Sequence, residues 1–344
     1  MTTIKDIARL SGYSIGTVSR VINNHADVSE AARARITQVI QETGFQPNTN
    51  AKYLKLAGSS PVTILVKGTK NFFLETILEE IQELMKKNGE PVTVVFLDEL
   101  SNEVETAAQI ASERKPKGLI FLGANLDYLH QSFGSIKIPA VLVTGNASEL
   151  GFENLSSFCT DDYEASKAAV GVLLNAGHTN IGIVGGSNVN IHGSIGTTRL
   201  MGGMDALKKR DIPFDMEHSY EPSRFSSEDG YRAAKKLLER EKGITAIFAL
   251  SDTIAIGAMR AAKDLGLRIP EDLSIIGFDG IEYTKYSVPR LATVRQSSSL
   301  LAQKSVDDLL LRMNYSRKAV HEVIPFKVEP GESIKKIIKK PIEK

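Results

Sequence analysis

The chain has 344 residues, 42% of them hydrophobic, 24% charged and none tryptophan, with a formal net charge of +1. That length implies two or three domains, and the composition excludes disordered and fibrous classes. Balanced charge excludes a globally basic or acidic chain, and no apolar run approaches the ~20 residues of a membrane span, so no membrane partner is expected.

Taken in chain order, residues 1–60 carry seven Lys/Arg against four acids, a local +3 that leaves −2 for the remainder. Lys5, Asp6 and Arg9 interrupt any apolar signal core, which predicts a cytoplasmic protein. Apolar residues then recur at helical spacing in three sets: Ile4, Ile7, Ala8 and Leu10; Val18, Val21 and Ile22; Ala32, Ile36, Val39 and Ile40. Gly12 breaks the first set from the second, Ser14 caps a helix opening at Ile15, and Ser29 caps the third. Two helices about a glycine-bearing turn form a helix-turn-helix unit, whose second helix enters the DNA major groove. Ile15, Gly16 and, one turn on, Arg20 then face base edges. Arg20 is suited to a guanine and Ile15 to a thymine methyl. Thr3, Ser14, Thr17, Ser19 and Asn23 are placed to bind phosphates and fix register.

Next, "QPNTNAKYLKLAGSSP" is bounded by Pro47 and by Gly58 to Pro61, and reads as a linker. A helix over Asn48 to Leu56 is too short to hold in water without support. Short β-branched runs follow at 62–67, 92–97, 118–123 and 139–145, and again at 180–186, 244–250 and 273–279, with helical stretches between them. Continuous apolar strands alternating with helices predict parallel sheets covered on both faces, here in two lobes. Cys159, the single cysteine, excludes an internal disulfide and reads as a small buried hydrophobe. "GIVGGS" matches neither GxGxxG nor a phosphate loop, and His178 has no companion at metal or triad spacing. No enzyme, cofactor or metal is therefore expected. The basic "IKKIIKKPIEK" reads as a solvated tail.

Together, "TIKDIA", "TVSRVIN", "PN…A…L", "GHTNIGIVGG", "RLMGGMDAL", "SDTIAIGAMRAAKDLGLRIPEDLSIIGFDG" and "PRLATVRQ" resemble the lac repressor (LacI/GalR) family of bacterial transcription regulators, to about residue 330. The resemblance implies an α/β chain with a helix-turn-helix domain at 1–46 and a hinge helix and linker at 47–60. A two-lobed, periplasmic-binding-protein-like effector and dimerisation domain then spans 61–330, followed by the tail at 331–344. It implies lobe crossings near 159–162, 293–297 and 323–328. In the hinge, Leu54 is the residue wedged into the minor groove, Ala51 permits close approach, and Asn50 and Lys52 flank them. Asn50 departs from the family's common apolar residue, and Ile15 and Gly16 depart from its polar readers.

For the lobes, the resemblance places Arg199, Phe225 and Asp279 on the effector. It adds Lys67, Asn71 and Phe73 after the first strand, and Ser251 and Asp252 after the strand at 244–250. Lys67 at a strand end suggests an anionic effector. The implied protein is a homodimeric repressor of carbohydrate genes on a palindromic, double-stranded operator, with a sugar-like effector between the lobes. The competing reading is a cytoplasmic ligand-binding protein whose N-terminal module contacts protein. Steep salt dependence distinguishes the two.

Overall fold

The computed structural model describes residues 4–22, 28–43, 60–186 and 193–337. The chain divides into two compact units, residues 1–59 and 60–344. In the first, the described residues form α1 (Ile4–Ser11), α2 (Ile15–Ile22) and α3 (Glu30–Thr43). Ile7, Ala8, Val18, Val21, Ile36 and Val39 are buried together and make its core. Each such burial contributes on the order of 1.5–3 kcal/mol for the larger side chains. The turn between α1 and α2 needs Gly12, whose φ of +77° side-chain-bearing residues rarely adopt. The hinge residues Asn50, Ala51, Lys52 and Leu54 lie outside the described residues, as do Thr3 and Asn23.

The second unit holds two six-stranded sheets. The first contains β1 (Val62–Lys67), β2 (Val92–Leu97), β3 (Leu119–Leu122), β4 (Ala140–Val143), β5 (Leu155–Cys159) and β11 (His321–Val323), in the order β11-β5-β4-β3-β1-β2, all parallel. The second contains β6 (Ile181–Val184), β7 (Tyr220–Glu221), β8 (Ala246–Ala249), β9 (Ser274–Asp279), β10 (Ala292–Arg295) and β12 (Lys327–Glu329), in the order β12-β10-β9-β8-β6-β7. Only β12 in it runs antiparallel.

Because strand side chains alternate, each apolar run serves two cores at once. In the first lobe Ile64 and Val66 pack on α4 (Phe72–Lys87) and α12 (Ser298–Asn314), while Leu65 packs on α5 (Glu103–Glu113) and α6 (Leu126–Ser132). In the second, Ile183 and Phe248 meet α7 (Asp162–Asn175) and α8 (Ile195–Lys208). Val184 and Ile247 meet α10 (Ser227–Arg240) and α11 (Asp252–Asp264). The α10–α11 contact is close: a Cβ on Gly257 would stand 2.1 Å from the Ser227 carbonyl oxygen.

The chain passes between sheets after β5, after β10 and between β11 and β12. The start of the segment read as a solvated tail, residues 331–337, packs on the second lobe, and residues 338–344 lie outside the described residues. Ser333 is buried and donates to the Ile275 carbonyl at 2.6 Å, and the Ile337 amide donates to the Ala176 carbonyl at 2.7 Å. These residues finish the second lobe's edge.

Candidate functional site

Parallel strands aim their carboxyl ends at one side of a sheet, and ligands collect there. Between the two lobes a cavity of 680 Å³ is lined from those ends: Lys67 closing β1, Gly123 to Tyr128 after β3, Thr144 to Asn146 after β4, Cys159 closing β5 with Thr160 to Asp162 after it, and Asp279 closing β9. Early residues of α8, including Arg199, and Phe225 complete it. The volume suits a small molecule of several functional groups.

The second lobe's wall is built around Arg199, buried with 4% of its surface exposed. Ser194 caps α8 and sets its start. Arg199 Nε donates to Asp162 Oδ1 at 2.7 Å, and Nη1 donates to the Leu250 carbonyl at 2.6 Å and lies 3.1 Å from Asp279 Oδ1. Its guanidinium stacks 3.8 Å from the Phe278 ring centroid. Asp279 sits at φ +108° and also accepts from Gln296 Nε2 at 2.8 Å, yet its buried Oδ2 has no hydrogen-bond partner among the described residues. Burial pushes Asp279 up to about 6, against the opposing pull of Arg199 and Gln296. Burial also raises Asp162, with Arg199 opposing. Two carboxylates thus share one cation in a place poor in water.

The first lobe's wall differs. Lys67 pairs with buried Glu103 and sits 5.0 Å from the Tyr128 ring centroid. The other Glu103 oxygen accepts from the Asn125 amide at 2.6 Å. Lys67 therefore lines the cavity, as the sequence reading placed it, with its charge paired to Glu103. Asn71 lines it too, but its Oδ1 caps α4 by accepting from the Phe73 and Leu74 amides. Phe73 belongs mainly to the core.

Ser251 and Asp252 are not brought to the cavity. Ser251 caps α11, accepting from the Ile254 amide at 3.1 Å. Asp252 accepts from the Gly280 and Ile281 amides at 2.6 and 2.9 Å and from the Thr293 hydroxyl at 2.7 Å. It fixes the turn that follows Asp279. Burial and the nearby Asp279 raise its carboxyl well above the ordinary range. Sequence reasoning passed over Asp162, Glu99 and Glu149, all of which line the cavity. Asp162 had no strand-end signal, because the strand before it, β5, was itself not legible in the sequence.

The two remaining sequence-level residues of note are structural. His178 is buried, with Nδ1 3.0 Å from the Thr245 hydroxyl and Nε2 3.1 Å from the Lys335 carbonyl. Burial pushes the Cys159 thiol up to about 12, which makes it unreactive.

In the first unit, Ser14 Oγ accepts the Thr17 amide at 3.1 Å and pairs with the Thr17 hydroxyl at 2.9 Å, capping α2. Ile15, Gly16 and Arg20 are exposed on α2, while Val18 and Val21 face the core. An exposed Ile15 at the opening of a helix, 46% accessible, has no packing explanation within this unit. Ser19 lies on the same helix.

A helix-turn-helix unit and two parallel-sheet lobes around a cavity define a DNA-binding regulator that senses a small molecule. Residues 3–48 match the model for bacterial regulatory proteins of the lacI family, and residues 170–334 match a periplasmic binding protein-like domain. The HTH-type transcriptional regulator MalR of Clostridium butyricum is 36% identical over 324 residues, covering 93% of this chain and 96% of that protein. The ribose operon repressor of Haemophilus influenzae is 32% identical, covering 91% and 92%. A solved lac repressor dimer, bound to operator and the anti-inducer ONPF, shares the fold with a TM-score of 0.74 at 24% identity, covering 97% of this chain and 99% of that one. The chain belongs to the lacI family of bacterial regulatory proteins. It is accordingly a DNA-binding transcriptional regulator and not an enzyme. No helix among the described residues is long and apolar enough to cross a membrane.

Proposed function

We propose that this cytoplasmic regulator represses carbohydrate genes and that its effector is an uncharged sugar. The observation that carries the reading is the acceptor-rich wall of Arg199, Asp162 and Asp279, with one buried carboxylate oxygen unmet. Sugar hydroxyls donate well to such a group, and the guanidinium holds the wall in place. Glu99, Asp127, Glu149, Asp161, Asp162 and Asp279 line the cavity against Lys67 and Arg199, both of which are paired. A phosphate or uronate entering there meets excess negative charge. The relatives named for a ribose operon and for MalR support a carbohydrate role.

On the DNA side, Arg20, Ile15 and Gly16 read bases, while Thr3, Ser14, Thr17, Ser19 and Asn23 hold phosphates. Asn50, Ala51, Lys52 and Leu54 bend the centre of a palindromic site between two copies of the chain. Lobe movement decides whether the paired hinges fold on DNA.

Selection of sites from randomised duplex DNA tests the first half. A two-fold symmetric motif is expected, and Arg20→Ala is expected to relax one base position by about 1–3 kcal/mol. Titration of the selected complex with ribose, cellobiose and glucose 6-phosphate tests the second. A response to the phosphate alone refutes the uncharged effector.

A further inference from the structure

Across one rim of the cavity, the segment after β2 meets the segment between β7 and α10. Asp98 Oδ1 accepts from Arg224 Nη2 at 2.7 Å, and Glu99 Oε2 accepts from the Phe225 amide at 3.1 Å. Each contact joins different lobes, so each exists only while the lobes are apposed. They are not equal. The Asp98 and Arg224 side chains remain 55% and 46% exposed, where an ion pair contributes little. Glu99 is the more buried of the two acids. Burial lifts its carboxyl above the ordinary range, the Phe225 amide and Arg224 pull it down, and Asp98 and Asp229 push it up again. Among the described residues its carboxylate accepts from Phe225 alone, and it lines the cavity. A carboxylate has about four acceptor positions, so most remain for a ligand.

We propose that Glu99 is an effector-binding residue whose carboxylate takes a hydroxyl of an uncharged polyol while holding Phe225 by its amide. Filling the cavity and closing the lobes then become one event. This rests on the reading of the cavity as a sugar site. A ligand shifts a conformational balance only through different affinity for its two states. A ligand on Glu99 meets Phe225 of the opposite lobe in the closed state alone, and that contact supplies the difference. A hydroxyl from the sugar provides the donor that a confined carboxylate lacks. Phe225 also lines the cavity, so the amide bond fixes a ligand-facing ring from the opposite lobe.

The test uses full-length Glu99→Ala, Glu99→Gln and Asp98→Ala, with thermal unfolding to confirm that each is folded. Ribose, cellobiose and maltose are titrated by calorimetry, and hydrogen exchange of the Phe225 amide is followed without sugar. Glu99→Ala is expected to lose about 10- to 150-fold in affinity for the sugar that the wild type binds, the range for a hydrogen bond to a charged group. It is also expected to expose the Phe225 amide to exchange. Glu99→Gln, which still accepts from that amide, is expected to restore the protection. Asp98→Ala is expected to change affinity less than about five-fold. Equal sugar affinity in Glu99→Ala and wild type overturns the role of Glu99 and leaves the sugar site standing. Failure of the wild type to bind all three sugars overturns the sugar reading and the ligand half of the proposal. Unchanged Phe225 exchange in Glu99→Ala overturns the bridge on its own.

Discussion

Lys67 and Arg199 stand on facing walls of one cavity, each a cation held by buried carboxylate, and their surroundings differ in what is left over. Glu103 spends one oxygen on Lys67 and the other on the Asn125 amide. On the other wall Arg199 is shared by Asp162 and Asp279, and Asp279 keeps an oxygen without a partner among the described residues. In the first arrangement both carboxylate oxygens are engaged, whereas in the second, one buried carboxylate oxygen is not. Charge at a strand end therefore does not mark a site; unspent acceptor capacity does.

Removing the cation from the second wall is the strongest way to break this comparison. Arg199→Met leaves two buried carboxylates opposed, and is expected to cost about 3–5 kcal/mol in urea denaturation and to abolish sugar binding in calorimetry. Next comes acidity. Asp279 lies near 6 in the folded chain against an ordinary 3.8, so folding favours its protonated form. Its contribution to stability is full below the ordinary value and is lost as pH rises through about 6. The wild type is thus expected to gain up to about 3 kcal/mol from this group between pH 7 and pH 4, a gain missing from Asp279→Asn. Sugar affinity is expected to move the other way and weaken below about pH 6, because the sugar donates to the ionised form.

A smaller effect sharpens the contrast. Replacing the first wall's pair together, as Lys67→Met with Glu103→Gln, is expected to leave sugar affinity within about three-fold and stability within about 1 kcal/mol. Smallest is Ser251→Ala. Loss of that cap is expected to cost about 1 kcal/mol of stability and to leave sugar affinity unchanged. A large loss of binding there would return Ser251 to the site.

Seven strands were legible because their β-branched runs are continuous. The others lack that signal for identifiable reasons. In β5, Ser156 and Ser157 are buried and bonded to the Val320 amide and the His321 ring, so the strand is held by polar contacts with residues more than 160 positions away. Strands β11 and β12 are three residues each and mostly exposed at sheet edges. At the site, Asp162 and Asp252 show the limit most clearly. Each is buried, each is the first residue of a helix, and each follows a capping residue. One faces the cavity and Arg199, whereas the other is taken by amides and a hydroxyl after β9. Nothing local separates them; the difference lies in which loop arrives opposite. Arg199, Phe225 and Asp279 were legible as cavity residues only through the resemblance, and all three line the cavity.

The three passages between sheets also bear on how the chain is made. The first lobe's core includes Leu301, Ala302, Val306 and Leu309 of α12, which are synthesised after β10 of the second lobe. The second lobe in turn waits for β12 and for Ser333. Neither lobe is complete when a ribosome has finished only its main run of strands. Although domains commonly fold in order of synthesis, here each lobe's finished packing requires residues made near the end of the described chain.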